Sequence, residues 1–169
     1  SGGGAASNAV VNLNGGVFQN YYNTKANLGL TNTGTWSTTT NGAGASPVNF
    51  TNPYQLFNII SQANANYSGV WDASSAGNSS RIVVGDGSTA ISLIILPGAS
   101  FITAASRIDV LNNATLIIQN NIWPFLNNLA TGSTVDFAQL GTTASDTIRF
   151  PAISYYNLNL TGRFKCFSG

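Results

Sequence analysis

The stretch Arg81-Ile82-Val83-Val84-Gly85-Asp86-Gly87-Ser88-Thr89-Ala90-Ile91-Ser92-Leu93-Ile94-Ile95 decides the fold class, together with Phe101-Ile102-Thr103, Ile108-Asp109-Val110 and Thr115-Leu116-Ile117-Ile118 after it. Short runs dominated by β-branched residues are broken by Gly85-Asp86-Gly87, Pro97-Gly98 and Asn112-Asn113. β-branched side chains suit the pleated surface of a strand, and Gly, Asn, Asp and Pro supply turn conformations. The pattern returns at Val135-Asp136-Phe137, Thr147-Ile148-Arg149-Phe150 and Tyr155 to Leu160. Many short strands separated by turn chemistry predict an all-β chain.

Among all-β forms the reading favours a β-solenoid, similar to a parallel β-helix, with a β-sandwich capable of strand exchange as the alternative. Small uncharged polar side chains stack in ladders from coil to coil, and each coil adds roughly 20–30 residues. Asp86, Asp109 and Asp136 are spaced by 23 and 27 residues, one coil apiece. Stacked carboxylates would repel without a cation between them. The three are therefore weak calcium candidates, set against the plainer reading of Asp86 as a turn residue and the others as outward strand residues.

The first half is looser. Val10 to Leu13, Gly16-Val17-Phe18, Leu28-Gly29-Leu30 and Thr33 to Trp36 read as strands. Asn52-Pro53-Tyr54-Gln55 carries helix-start chemistry, a cap residue followed by Pro. A strand over Gln55 to Ile59 competes with that helix on equal local terms. The expected organisation is a leader over residues 1–14, one all-β domain over 15–162, and a tail over 163–169.

Composition excludes whole classes of function. Charged residues make up 7% of the chain against a usual figure of about 25%. Polarity comes from 22 Asn, 18 Ser and 17 Thr, and the net charge is +1. Without His there is no imidazole base or imidazole metal site. There is no basic footprint for nucleic acid. The longest apolar run, Ala90 to Pro97, falls far short of the ~20 residues that span a bilayer, so membrane insertion is not expected. The lack of an initiating Met fits a processed or trimmed chain, which predicts export with a signal removed. Cys166 is the only cysteine, which leaves an incidental thiol or a bridge between subunits. Near-zero net charge favours life in an assembly.

Catalysis by paired carboxylates would need Asp86, Asp109, Asp136 or Asp146 held about 5–9 Å from one another, and nothing in the spacing fixes such a pair. No cofactor is expected. Trp36, Trp71, Tyr155 and Tyr156 are the candidate stacking faces for a surface glycan; filling the core is their alternative use. Trp123, between Ile122 and Pro124, reads as core. Five Asn-x-Ser/Thr sequons are what chance predicts in so Asn-rich a chain.

Four stretches together resemble a repeat module of large exported adhesin-like surface proteins of Bacteroidota. They are Gly34-Thr35-Trp36-Ser37 with Ala45 to Phe50, Arg81 to Ile91, Ile108 through Gln139, and Pro151-Ala152-Ile153-Ser154-Tyr155-Tyr156-Asn157-Leu158-Asn159-Leu160-Thr161-Gly162. In that module the Tyr-Tyr-Asn-Leu line usually runs into a Gly-Thr-Lys turn, whereas Arg163 to Gly169 follows it in this chain. The resemblance implies an extracellular β-solenoid stalk or adhesive module with no enzymatic role, and it favours the strand at Gln55 to Ile59. The expected function is a non-enzymatic structural or adhesive module on the cell surface, a self-assembling fibre or stalk subunit. Val10, Val11 and Leu13 would serve as a donor strand for the next copy, and Cys166 as a further subunit contact. A carbohydrate-binding adhesin domain and a phage or viral fibre domain are the alternatives.

Overall fold

The computed structural model describes residues 18–25, 29–52, 54–60, 64–67, 70–72, 81–97, 100–102, 107–119, 125–139 and 153–162. In chain order the strands are β1 (Gln19–Tyr22), β2 (Gln55–Ile59), β3 (Asn64–Tyr67), β4 (Val70–Asp72), β5 (Arg81–Val84) and β6 (Ile91–Ile95). They continue with β7 (Ser100–Ile102), β8 (Arg107–Val110), β9 (Ala114–Ile118), β10 (Phe125–Leu129), β11 (Thr134–Phe137) and β12 (Asn157–Asn159). The described residues are all-β apart from a single 3-10 turn at Thr33–Thr35.

One five-stranded sheet has the order β1-β2-β5-β8-β10, a second has β12-β11-β9-β6-β3, and β4 pairs with β7. Every pairing between these strands is parallel. From β2 to β11 the chain therefore visits the first and second sheets alternately and moves one strand along each sheet per visit. In the first sheet 25 residues separate Phe57 from its neighbour Ile82, 26 separate Ile82 from Ile108, and 18 separate Ile108 from Leu126. In the second, 23 separate Leu93 from Leu116, 19 separate Leu116 from Val135, and 23 separate Val135 from Leu158.

Parallel register places equivalent residues in columns, and period-two alternation decides which columns face the core. Phe57, Ile82 and Ile108 form one inward column; Ile59, Val84 and Val110 form the next, and all six are buried. Leu93, Leu116 and Val135 face them from the second sheet, beside Ile95, Ile118 and Phe137. The outward column Ser92, Thr115, Thr134, Asn157 is uncharged and polar.

The connections between the two sheets also stack. Asn112 donates its side-chain amide to the Gly87 carbonyl at 3.2 Å, and Asn113 to that of Ser88 at 3.3 Å. One turn later, Asn157 donates to the Ser133 carbonyl at 3.1 Å. Gly132, at φ +83°, lies where a Cβ would run into the Asn112 side-chain oxygen. Only a residue without a side chain fits that close approach in a left-handed conformation.

Several expectations need correction. Leu28-Gly29-Leu30 is no strand at its described residues: Gly29 has φ +89° and Leu30 lies in a turn. Thr33 to Trp36 is a capped 3-10 turn because the Asn32 side chain accepts the Gly34 N–H at 2.8 Å, a local bond that competes with a strand ladder. At Gln55–Ile59 the strand prevails over the helix, with Gln55, Phe57 and Ile59 turned inward. Val10 to Leu13, Val17 and Thr147 to Phe150 lie outside the described residues.

Candidate functional site

The two ends of the parallel stack differ. At the β1 end the free edge is closed by the chain itself. Tyr22 N–H donates to the Ser37 carbonyl at 2.7 Å and Ser37 N–H to the Tyr22 carbonyl at 2.8 Å, an antiparallel bridge across the outside of β1. Trp36, next to Ser37, turns inward and is fully buried. Its ring meets Phe57 edge-on at 5.1 Å, and its indole N–H donates to the Leu30 carbonyl at 2.9 Å. Tyr21 stacks on Phe57 at 5.6 Å and Phe50 approaches it at 5.3 Å. Trp36 is thus corrected from a glycan face to the plug of the stack: a buried ring has no face to offer a sugar.

At the β12 end no such plug lies over the second sheet. The column Leu93, Leu116, Val135 is buried, but its last member, Leu158, remains 37% exposed. Asn157 N–H donates to the Ser133 carbonyl on the β11 side. Amide direction alternates along a strand, so the Leu158 N–H and C=O point the other way, to the open edge. Among the described residues no further strand pairs with β12.

Tyr155 and Tyr156 flank this edge and do different work. Tyr155 is half-buried against Phe137, edge to face at 6.1 Å, and burial pushes its phenol up to about 12. Tyr156 is 59% exposed. Of the four aromatic candidates it is the one with a described, open face. Trp71 lies in β4 with its backbone beside Phe101. Val10, Val11, Leu13, Trp123 and Cys166 fall outside the described residues.

Asp86, Asp109 and Asp136 are not brought together. Asp86 sits in the turn after β5, Asp109 on the outer face of the first sheet, and Asp136 on the outer face of the second. Each is committed to local hydrogen bonds. Asp86 accepts from the Thr89 and Ser88 N–H groups at 2.7 and 2.8 Å and from both their hydroxyls. Those bonds, the Thr89 N–H first, hold its carboxyl well below the usual carboxylate range. Asp136 takes the Thr161 hydroxyl on both oxygens at 2.7 Å.

Asp109 secures an irregularity. Leu126 faces Ile108 and Leu129 faces Val110, so Asn127 and Asn128 together oppose Asp109, a two-for-one β-bulge. The carboxylate accepts Asn127 Nδ2 at 2.6 Å and Asn128 N–H at 3.0 Å. Arg81 stands 3.7 Å from its other oxygen and lies over the Phe18 ring at 5.5 Å. Among the described residues no three acidic or thiol groups come together as metal ligands, and no helix is long and apolar enough to cross a membrane.

Leu158 and the plug formed by Trp36, Leu30 and Phe50 are the features that sequence reading missed. The alternation of Asn157-Leu158-Asn159 marks a strand, but only the ordering of strands in the sheet shows that Leu158 ends its column. No protein family, curated protein or solved structure matches the chain.

Proposed function

We propose that this chain is a β-solenoid, similar to a parallel β-helix, and a non-enzymatic structural module that works outside the cell as a fibre or surface-stalk subunit. The observation that carries the reading is the contrast between the ends of the stack. One end is plugged by Trp36 and edged by Ser37. The other leaves an unpaired parallel strand with Leu158 uncovered. Exposed strand edges normally carry charges or prolines that discourage pairing. β12 has neither, and a strand-adding partner is the natural occupant of such an edge. The commitment of Asp86, Asp109 and Asp136 to their own turns and bulge supports a structural rather than a catalytic role.

The test compares the intact chain with one lacking residues 1–14, by sedimentation velocity and negative-stain microscopy. Filaments or oligomers from the intact chain, and folded monomers from the shortened one, are expected. A monomeric intact chain, or assembly unchanged by the truncation, overturns the reading.

A further inference from the structure

Resting on that reading, we infer that the acceptor for the donor segment is the free edge of β12, and that Val11-Asn12-Leu13 of a second copy occupies it in parallel register. Val11 would lie beside Leu158, Asn12 beside Asn159 and Leu13 beside Leu160. The columns of the second sheet set this alignment. An incoming strand must continue the inward column Leu93, Leu116, Val135, Leu158 with an apolar residue. It must continue the outward column Ile94, Ile117, Asp136, Asn159 with a residue that tolerates water. Leu160, half-buried against the core, calls for a second apolar residue two positions on. Val11-Asn12-Leu13 has that apolar–polar–apolar order. Asn12 beside Asn159 would form an amide ladder of the kind that stabilises stacked parallel strands. The segment carries no charge, and neither does β12, so no ion has to be desolvated on pairing.

Reach excludes a chain closing on itself. β1 and β10 lie four strand positions apart in the first sheet, β11 follows β10 in the chain, and β12 adds one more position. The acceptor row beyond β12 is then six spacings from β1, about 29 Å at ~4.8 Å each. The five residue steps from Leu13 to Phe18 cover at most ~18 Å when fully extended. The donor must therefore come from another copy. Because donor and acceptor are different surfaces, the contact is heterologous, and repetition makes an open chain of subunits rather than a closed dimer.

Two full-length variants test this. Val11→Asp spoils the donor and leaves β12 intact; Leu158→Lys spoils the acceptor, at a partly exposed position, and leaves the donor. Each alone should remain monomeric with the circular dichroism of the parent, and an equimolar mixture should give a 1:1 dimer that grows no further. In a Cys166→Ser background, oxidation of V11C/L158C and of L13C/L160C should give covalent ladders on a non-reducing gel. The N12C/L158C pair, with side chains on opposite faces, should give at least about tenfold less, because a disulfide needs its Cα atoms within ~7 Å and its Cβ atoms facing each other. Assembly of Leu158→Lys like the parent, a mixture that stays monomeric, or cross-linking no better than the control overturns the assignment of β12. If Leu158→Lys assembles while the chain lacking residues 1–14 does not, the fibre reading stands and only the acceptor edge is wrong. If the parent chain itself does not assemble, both fall.

Discussion

Asp109 offers the sharpest test of how the outer face of the first sheet is held. Replacing it with Ala removes the acceptor of two hydrogen bonds, from Asn127 Nδ2 and Asn128 N–H, and the partner of Arg81. A hydrogen bond to a charged group contributes roughly 1.5–3 kcal/mol when buried, and the low end applies where donor residues are exposed, as Asn127 and Asn128 are. The Arg81 pair counts for little: its atoms are 3.7 Å apart and the arginine side chain is 34% exposed. Such pairs contribute about 0–1 kcal/mol. Asp109→Ala should therefore lower stability by about 2–3 kcal/mol. Asp109→Asn, which keeps an oxygen for both donors, should lose no more than about 1 kcal/mol. Urea unfolding followed by tryptophan fluorescence measures both, with an unchanged slope as the check that only stability moved. Double-mutant cycles should give a larger coupling for Asp109 with Asn127 than with Arg81. If Asn proves as damaging as Ala, or if the Arg81 coupling dominates, the carboxylate acts through its ion pair and not as the clamp of the bulge.

Gly132→Ala forces a side chain into a left-handed conformation, at roughly 1–2 kcal/mol, and displaces the Asn112 side chain from Gly87. Thermal denaturation should show that loss, and a second substitution, Asn112→Ala, should cost less in the Gly132→Ala background than in the parent. Trp36→Ala empties a fully buried site and leaves the Leu30 carbonyl without its indole donor, so a drop of about 3–5 kcal/mol is expected, with Trp36→Phe intermediate. Equal stability of the Ala and parent chains by urea titration would place Trp36 outside the core. Tyr155, with its phenol raised to about 12 by burial, favours the folded state while neutral. That stabilisation is complete below pH ~10 and disappears as pH rises to about 12. A pH series of melts should show the parent losing stability over this window, and Tyr155→Phe should lose distinctly less.

What was legible in the sequence follows from how each strand earns its place in a sheet. β6 and β9 announce themselves, because Ile91, Leu93 and Ile95 and then Leu116 and Ile118 alternate with outward residues. β1 and β3 are hidden, since Gln19-Asn20-Tyr21-Tyr22 and Asn64-Ala65-Asn66-Tyr67 hold their positions by pairing with a neighbour that is already formed. β10 is hidden for another reason: the bulge inserts Asn127-Asn128 and breaks the period of two. The Asp spacing contained a partial truth. Steps of 23 and 27 residues match the length of a coil, but Asp109 belongs to the first sheet and Asp136 to the second. Spacing counts coils and does not say which side of the coil a residue occupies. Trp36 misled because a Trp among turn residues has the look of a surface aromatic, and only the need to plug the end of an apolar column explains its burial.

The scarcity of charge follows from parallel register. Each outward residue has the equivalent residue of the next coil about 4.8 Å away. Two like charges at that distance repel by about 1 kcal/mol in water and by about 3–4 kcal/mol at the effective dielectric of a protein surface. The described acids obey this limit: Asp109 lies between Val83 and the Asn127–Asn128 bulge, and Asp136 between Ile117 and Asn159. The pair Arg81 and Arg107 does sit in register, and Arg81 there turns to Asp109 and the Phe18 ring. Thr115 and Thr134, in-register neighbours on the outer face of the second sheet, allow the rule to be measured. Thr115→Asp and Thr134→Asp should each change stability little. Together they should cost about 1–3 kcal/mol more than the sum of the single effects at low ionic strength. That excess should shrink in 1 M NaCl, where the Debye length falls to ~3 Å, and vanish when the carboxyls are protonated near pH 3. Thr115→Asp with Thr134→Lys should reverse its sign. A coupling of zero in both combinations would mean that these columns tolerate charge, and the near-neutral composition would need another cause.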